Sequence, residues 1–175
     1  MRAREGGAYG TRGRRPVEQV EVRRSLPAGD GRPIVALVVD SGALYAQADA
    51  DEPRHAAVVE VLKSERETLV TTELAVAEAD YLILDRLGPD AEFAFLDDLA
   101  EGTFVTECLT RSELQTARSV VERYADLGLG LADASLVVLA ERFKTRRILT
   151  FDQRAFRVIT PLSGGAFTIL PADRV

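Results

Sequence analysis

Two carboxylates directly follow short apolar runs that predict buried strands. Asp40 comes after residues 34–39 (IVALVV), and Asp152 comes after residues 148–151 (ILTF). Runs of this kind are typical of strands that are buried on both faces of a parallel sheet. Because the carboxyl ends of parallel strands meet at one edge, both acids are expected at that edge of the sheet. Taken alone, each could be an ordinary turn residue at the end of a strand.

Two further carboxylates fall on apolar faces of predicted helices. Asp133 lies in the first turn of a helix predicted over residues 131–143, and Glu78 lies in the second turn of one predicted over residues 73–87. A helix that follows a parallel strand begins near the carboxyl edge, so both side chains are expected to project toward that rim. Asp133 could instead serve only to stabilise the start of its helix. Asp80 has apolar neighbours as Glu78 does, and periodicity does not separate the two.

Together the four acids predict a site for a hard divalent cation. An unpaired buried carboxylate costs several kcal/mol, and two unit charges ~4 Å apart repel by about 4 kcal/mol at an effective dielectric near 20. Mg²⁺ or Mn²⁺, held by oxygen ligands, would remove this repulsion. The prediction of a metal site rests on the four acids together, since each acid alone has a structural explanation.

Other catalytic designs find less support. Cys108 is the only cysteine and His55 the only histidine, which excludes a disulfide framework and argues against a four-ligand zinc site or a catalytic triad. The chain has no GxxxxGK[ST] loop and no GxGxxG after a strand. A receiver-type phosphotransfer domain would need a lysine at the end of a late strand, and neither Lys63 nor Lys144 is so placed.

Strands and helices alternate along the chain. Strands are predicted at residues 34–39, 68–71, 104–109, 148–151 and 167–170, and helices at 42–50, 53–65, 73–87, 90–100, 110–124 and 131–143. Thr110 and Glu113 have the spacing of a capping box at the start of one helix. This alternation predicts an α/β fold, with a central mostly parallel sheet between helical layers and residues 167–170 at its edge.

Charge divides the 175 residues into two parts. Residues 1–33 hold eight arginines and four acids, a net charge of +4, whereas residues 34–175 have a net charge of −10. We expect a disordered basic N-terminal extension over residues 1–33 and one folded domain over residues 34–175. The extension could be an RNA-contacting arm, but its composition favours a solvated tail or a start site assigned too far upstream.

The net negative charge of the domain disfavours binding of a polyanion. Any nucleic acid must therefore be bound through a metal ion or through a few suitably positioned arginines. No apolar run approaches the ~20 residues that span a bilayer. The N-terminal arginines are not followed by the apolar core of a secretory signal. These features lead us to expect a cytoplasmic protein.

Four motifs in this order resemble the PIN domain, and more narrowly the VapC-type toxins of bacterial toxin–antitoxin systems. They are residues 40–44 (DSGAL), Glu78, residues 130–134 (GLADA) and residues 149–152 (LTFD). The resemblance extends over about residues 34–171. It implies a three-layer sandwich and a Mg²⁺- or Mn²⁺-dependent endoribonuclease.

The resemblance also implies roles for the four acids. Asp40 and Asp133 would be the principal metal ligands. Glu78 would be a further ligand or a water-positioning group, and Asp152 would bind the metal directly or through water. Hydrolysis in such a site would leave a 5′-phosphate and a 3′-hydroxyl.

Hydroxyl side chains are implied beside the acids. Ser41 and Thr150 would hydrogen-bond the carboxylate cluster and orient it. The chain departs from the family at Gly42, where many members carry a second hydroxyl residue.

The arginines fall into two groups. Arg154 and Arg157, just beyond Asp152, are placed to contact RNA phosphates, although a surface ion pair explains them equally well. The basic cluster of residues 142–147 lies between a helix and the next strand, at the opposite pole of the sheet. It is interpreted as helix C-terminal and turn charges in preference to RNA contacts.

The family resemblance further implies partners. A cognate antitoxin would neutralise the enzyme, homodimers would form through helices, and the substrate would be transfer RNA or ribosomal RNA. The helices over residues 53–100 carry more apolar surface than one sheet face needs, which allows such contacts. The alternative is a catalytically silent PIN-like interaction module, which the presence of all four acids disfavours.

Overall fold

Five short parallel strands form the central sheet of the structure, a computed structural model that describes residues 35–174. The strands are β1 (Ala36–Val39), β2 (Thr68–Thr72), β3 (Val105–Glu107), β4 (Arg147–Leu149) and β5 (Thr168–Leu170). Their order is β3-β2-β1-β4-β5, and every neighbouring pair is parallel. The predicted α/β class and the edge position of the last strand are confirmed. The extension predicted for residues 1–33 lies outside the described residues.

Helices connect the strands. They are α1 (Ser41–Ala48), α2 (His55–Ser64), α3 (Glu73–Leu87), α4 (Pro89–Ala100), α5 (Arg111–Arg123), α6 (Leu131–Arg142) and α7 (Gln153–Phe156), with a 3-10 turn at Ala125–Leu127. The observed bounds agree with the predicted ones to within two residues. The pattern did not predict α7, because one helical turn is too short to show a period. In residues 35–174 no helix is long and apolar enough to cross a membrane.

Local sequence signals explain where two of the helices begin. At the start of α5, Thr110 N–H donates to Glu113 Oε2 (2.8 Å) and Glu113 N–H donates to Thr110 Oγ1 (3.3 Å), so the predicted capping box is confirmed. Between α3 and α4, Gly88 has a φ of 90°, which favours glycine. Pro89 then occupies the first position of α4, where its missing N–H is not needed.

Two separate hydrophobic clusters cover the two faces of the sheet. One joins the sheet to α5, α6 and α7 and includes Ala75 of α3, and the other joins the sheet to α1, α2, α4 and the rest of α3. Along β1, Ala36 and Val38 belong to the first cluster, whereas Leu37 and Val39 belong to the second. Successive side chains of a strand point to opposite faces, so a strand covered on both sides must be apolar throughout. The predicted layers of helix, sheet and helix are therefore confirmed.

The Phe156 side chain anchors α7 to the rest of the domain. It is 1% exposed, and its ring meets that of Phe167 edge to face, with ring centroids 5.6 Å apart. We expect Phe156→Ala to lower the free energy of unfolding by about 3–5 kcal/mol, because it leaves a cavity in the first cluster. Val158, which is 55% exposed, provides the control: Val158→Ala should change that free energy by less than about 0.5 kcal/mol. Urea denaturation followed by circular dichroism measures both, and equal values for the two variants would contradict this packing.

Candidate active site

Asp40 is a buried carboxylate at the carboxyl end of β1, with 6% of its surface exposed. Thr150 Oγ1 donates a hydrogen bond to Asp40 Oδ2 (2.7 Å), and Ser41 Oγ donates to Oδ1 (3.3 Å). Burial raises the pKa of Asp40 to about 6, against the lowering effect of the hydrogen bonds from Thr150 and Ser41. The charges of Asp133 and Glu78 raise it further. Asp40 therefore ionises only against the cost of burial and the repulsion of its neighbours.

Asp133 lies in the first turn of α6 and is half-buried. Its Oδ2 accepts a hydrogen bond from the backbone N–H of Gly130 (3.0 Å), which stabilises the ionised form. Burial nevertheless raises the pKa of Asp133, and the charges of Glu78 and Asp152 add to that effect. The four acids predicted from the sequence are thus linked by mutual repulsion, through Asp40 and Asp133.

Asp152 is exposed and caps α7, where its Oδ1 accepts from the backbone N–H of Ala155 (2.9 Å). The N–H of Asp152 donates to Thr150 Oγ1 (3.0 Å), and that hydroxyl in turn donates to Asp40. The Thr150 hydroxyl therefore connects the two acids that follow strands, one after β1 and one after β4.

Glu78 is exposed in the second turn of α3. Its charge adds to the raised pKa of both Asp40 and Asp133. The sequence pattern did not separate Glu78 from Asp80. Asp80 is half-buried, and its Oδ1 is a buried oxygen without a hydrogen-bond partner among the described residues.

The four acids repel one another without forming a closed ligand shell. Within residues 35–174, no three His, Cys, Asp or Glu side chains are grouped closely enough to hold one metal ion. Asp133 and Asp152 each direct one oxygen to a backbone N–H at the start of their own helix. A carboxylate has two oxygens, so each retains a second one for a ligand. Carboxylate and hydroxyl oxygens are the donors that Mg²⁺ and Mn²⁺ prefer, so the residues present fit such an ion by chemical type and charge.

Three arginines near the acids, Arg54, Arg154 and Arg157, differ in their contacts. Arg157 forms a bidentate ion pair with Asp173, with Nη1 2.9 Å from Oδ2, whereas Arg154 is exposed on α7. Arg54 was not singled out from the sequence. Its guanidinium carbon lies 4.5 Å from the centre of the Phe151 ring, which is a cation–π contact. Phe151 directly precedes Asp152, the residue that caps α7.

Arg142, Lys144 and Arg147 of the basic cluster of residues 142–147 are engaged in ion pairs. Arg142 donates to Glu107 (2.7 Å) and Glu113 (2.6 Å), and Arg147 donates to Glu65 (2.7 Å). These pairs agree with the interpretation of the cluster as structural charges at the end of α6 and the start of β4.

Two buried hydroxyls at the start of α3 and in α6, those of Thr72 and Ser135, also escaped the sequence analysis. Both residues are 0% exposed. Thr72 reads as an ordinary helix cap, and the only signal for Ser135 is a polar residue within an apolar run, two positions after Asp133.

The raised pKa of Asp40 predicts a pH-dependent stability. A folded-state pKa of about 6, above the ordinary 3.8, contributes stability that is complete below pH ~4 and is lost as the pH rises through 6. The difference corresponds to about 3 kcal/mol. In metal-free buffer, Asp40→Asn should therefore be more stable than the wild type by up to about 3 kcal/mol at pH 7.5, and the advantage should vanish near pH 4. Denaturation across this pH range measures it, with the exposed Asp85→Asn on α3 as control; an advantage independent of pH would contradict the assignment.

Gly42 offers a test of the hydroxyls around Asp40. A Cβ at position 42 would lie 3.7 Å from Asp40 Oδ2, an ordinary contact, so a serine fits there. Its hydroxyl would donate to the ionised carboxylate, and the pKa of Asp40 in Gly42→Ser should fall by about 0.5–1 relative to Gly42→Ala, which supplies the same Cβ alone. Titration of the Asp40 carboxyl carbon by NMR in metal-free protein measures both midpoints. Identical midpoints would show that position 42 does not reach Asp40.

Comparison with known proteins places the chain in a family. Residues 37–160 match the PIN domain. The chain is 44% identical over 135 residues to ribonuclease VapC26 of Mycobacterium tuberculosis, an alignment that covers 77% of this chain and all of that protein.

Among solved structures, the fold resembles that of VapC20 from Mycobacterium tuberculosis, described as a sarcin–ricin loop cleaving toxin. The TM-score is 0.63 at 19% identity, over 67% of this chain and 90% of that one. At this identity the likeness concerns the fold. The family match over most of the chain and the identity to a full-length VapC protein show that this chain belongs to the PIN domain family, as a member of the VapC type.

Proposed function

We propose that this protein is a metal-dependent endoribonuclease toxin, which hydrolyses RNA phosphodiester bonds in the cytoplasm and is neutralised by a cognate antitoxin. One observation carries the proposal. In a VapC-type chain, the buried Asp40 at the carboxyl edge of a parallel sheet is repelled by the charges of Asp133 and Glu78, and Asp133 is in turn repelled by Asp152.

The acids would hold Mg²⁺ or Mn²⁺. Asp40 and Asp133 are the proposed principal ligands, and Glu78 and Asp152 would bind directly or through water. A divalent ion in such a site lowers the pKa of water and draws charge from a phosphodiester. Thr150 contributes by orienting the Asp40 carboxylate through its 2.7 Å hydrogen bond.

Water, and not the 2′-hydroxyl of the RNA, is the proposed nucleophile. Attack by the 2′-hydroxyl without a metal requires a positioned general base and general acid, a task most often performed by histidine. His55 is the only histidine of the chain, and its Nδ1 lies 2.8 Å from the carbonyl oxygen of Ala46. It is thus engaged by the backbone of α1, and the carboxylates remain as the reactive groups of the rim.

Contacts to RNA would be local. The exposed Arg154 is proposed to contact a phosphate, and Arg157 could do so by exchanging Asp173 for phosphate. VapC20 is described as cleaving the sarcin–ricin loop. A structured loop of ribosomal or transfer RNA is therefore the proposed substrate class here.

Protein partners would use the outer helices. Four large apolar side chains on α3 and α4 are 43–67% exposed, namely Tyr81, Leu84, Phe93 and Leu96. This is the surplus apolar surface expected from the sequence of residues 53–100, and it supports the proposal of an antitoxin contact and a homodimer through helices.

Removal of one acid tests the enzyme directly. We expect Asp133→Asn to lower the rate of RNA cleavage by about 100-fold or more, and EDTA to abolish wild-type cleavage until Mg²⁺ or Mn²⁺ is restored. Asp85→Asn, an equal change of charge two turns beyond Glu78 on α3, should cleave as the wild type does. A gel assay with total RNA under single-turnover conditions measures all three.

Two results would contradict this assignment. Cleavage that persists in EDTA would exclude a metal-dependent reaction. A pure protein without cleavage of any RNA in Mg²⁺ or Mn²⁺ would favour the alternative, a catalytically silent interaction module.

The nucleophile leaves a signature on the products. If water attacks, the fragments carry 5′-phosphate and 3′-hydroxyl ends, and replacing the 2′-hydroxyl at the cleaved position by hydrogen should leave cleavage within about tenfold of the unmodified RNA. Ligation-dependent sequencing of RNA 5′ ends, with and without prior phosphorylation, identifies the ends. A 2′,3′-cyclic phosphate would instead assign the attack to the RNA itself.

A further inference from the structure

Two buried hydroxyls join the helices that carry Glu78 and Asp133. Thr72 Oγ1 and Ser135 Oγ lie 2.7 Å apart, and both residues are 0% exposed. Thr72 is the residue before α3, and Ser135 lies in the second turn of α6, so the contact spans 63 residues of the chain.

The donors in this contact follow from its neighbours. Ser135 Oγ lies 2.5 Å from the carbonyl oxygen of Ala132, which can only accept, so the Ser135 hydroxyl donates there. The Ser135 oxygen therefore accepts from the Thr72 hydroxyl, and the Thr72 oxygen accepts from the N–H of Ala75 (3.2 Å). Each hydroxyl donates once and accepts once. The result is a directional hydrogen-bond chain from the first turn of α3 to the first turn of α6, which we call the hydroxyl relay.

The two ends of the relay lie beside the acids. Ala75 precedes Glu78 by three residues on α3, and Ala132 is the residue before Asp133 on α6. The charges of Glu78 and Asp133 repel each other, which favours separation of the two helix starts. Hydrogen bonds among buried groups are costly to break, because no water replaces them. The relay therefore opposes the separation that the acids favour.

We propose that Thr72 and Ser135 are positioning residues, which fix the starts of α3 and α6 relative to each other and thereby set the distance between Glu78 and Asp133, two of the proposed metal ligands. This inference rests on the proposed function. It adds two residues that touch neither RNA nor metal and that act through the backbone of α3 and α6. Catalytic groups need placement within about 0.5 Å, which a buried and fully satisfied hydrogen-bond chain can supply and loose apolar packing does not.

The test compares hydroxyl removal at two places in the same protein. Ser135→Ala breaks the relay. Thr145→Val removes another buried hydroxyl, one that accepts from the N–H of Arg147 (3.1 Å) at the start of β4, away from the acids. Thr72→Val breaks the relay from the other side, and Thr72→Ser retains the hydroxyl and should restore wild-type behaviour.

Binding of Mn²⁺ to RNA-free protein, measured by titration calorimetry, is the first readout, and kcat and KM for RNA cleavage are the second. We expect Ser135→Ala and Thr72→Val to weaken Mn²⁺ binding by about 10-fold and to lower kcat by about 10- to 100-fold, with little change in KM. Thr145→Val should change neither. The variant with both Thr72→Val and Ser135→Ala should bind Mn²⁺ no more weakly than either single variant, because both substitutions break the same hydrogen-bond relay.

The outcomes separate the two proposals. If the wild type neither binds Mn²⁺ nor cleaves RNA, the proposed function fails and the positioning role fails with it. If the wild type does both, but Ser135→Ala and Thr72→Val match it or match Thr145→Val, the positioning role alone is overturned. Circular dichroism verifies that each variant folds. If either Ser135→Ala or Thr72→Val fails to fold, the positioning role is tested by comparing the other one with Thr72→Ser, which retains the hydroxyl.

Discussion

Repulsion among carboxylates at one edge of a parallel sheet is the constraint on which the rest of the structure depends. Asp40 is almost wholly buried there, and its pKa of about 6 shows that its ionised form opposes folding at neutral pH. A sheet with every strand parallel brings the ends of β1 and β4 to the same edge, where Asp40 and Asp152 are both hydrogen-bonded to the Thr150 hydroxyl. The carboxylates stay at this edge despite their repulsion, so the surrounding domain must be rigid enough to hold them in place.

Hydroxyl side chains provide much of that rigidity. Thr150 accepts from the N–H of Asp152 and donates to Asp40, which lies 110 residues before it in the chain, and Thr72 meets Ser135 across 63 residues. A hydroxyl suits this task because it donates and accepts at once, so one small side chain satisfies groups on two elements. The apolar clusters on both faces of the sheet exclude water from these contacts, which makes each of them costly to lose.

The surface explains how an acidic domain could handle a polyanion. Arg142, Arg147 and Arg157 are occupied by glutamate or aspartate, so they add little free positive charge. Attraction by bulk charge is weak, and recognition of RNA would depend on a bound cation and on single side chains near the rim. The exposed apolar residues of α3 and α4 carry no charge, and they are the side chains that the proposed contacts with proteins would use.

Local patterns in the sequence predicted nearly every helix and strand, because burial on one or both faces imposes a period on apolar residues. The capping box at Thr110 was predicted because its hydrogen bonds join residues only three positions apart, which is a local property of the sequence. The acids were noticed because a charge beside an apolar run is costly. The single turn of α7 showed no period, so it was missed.

Contacts between distant elements were decided by the tertiary structure alone. Whether Glu78 or Asp80 faces the rim depends on the rotation of α3 against its neighbours, which no periodic pattern reports. The choice of Asp173 as partner of Arg157 and the relay through Ser135 both depend on distances of a few ångströms between elements. The sequence by itself therefore determined which groups are costly to bury and on which elements they lie. Their mutual distances belong to the packed chain, because hydrogen bonds and charge repulsion vary steeply over separations that the sequence does not encode.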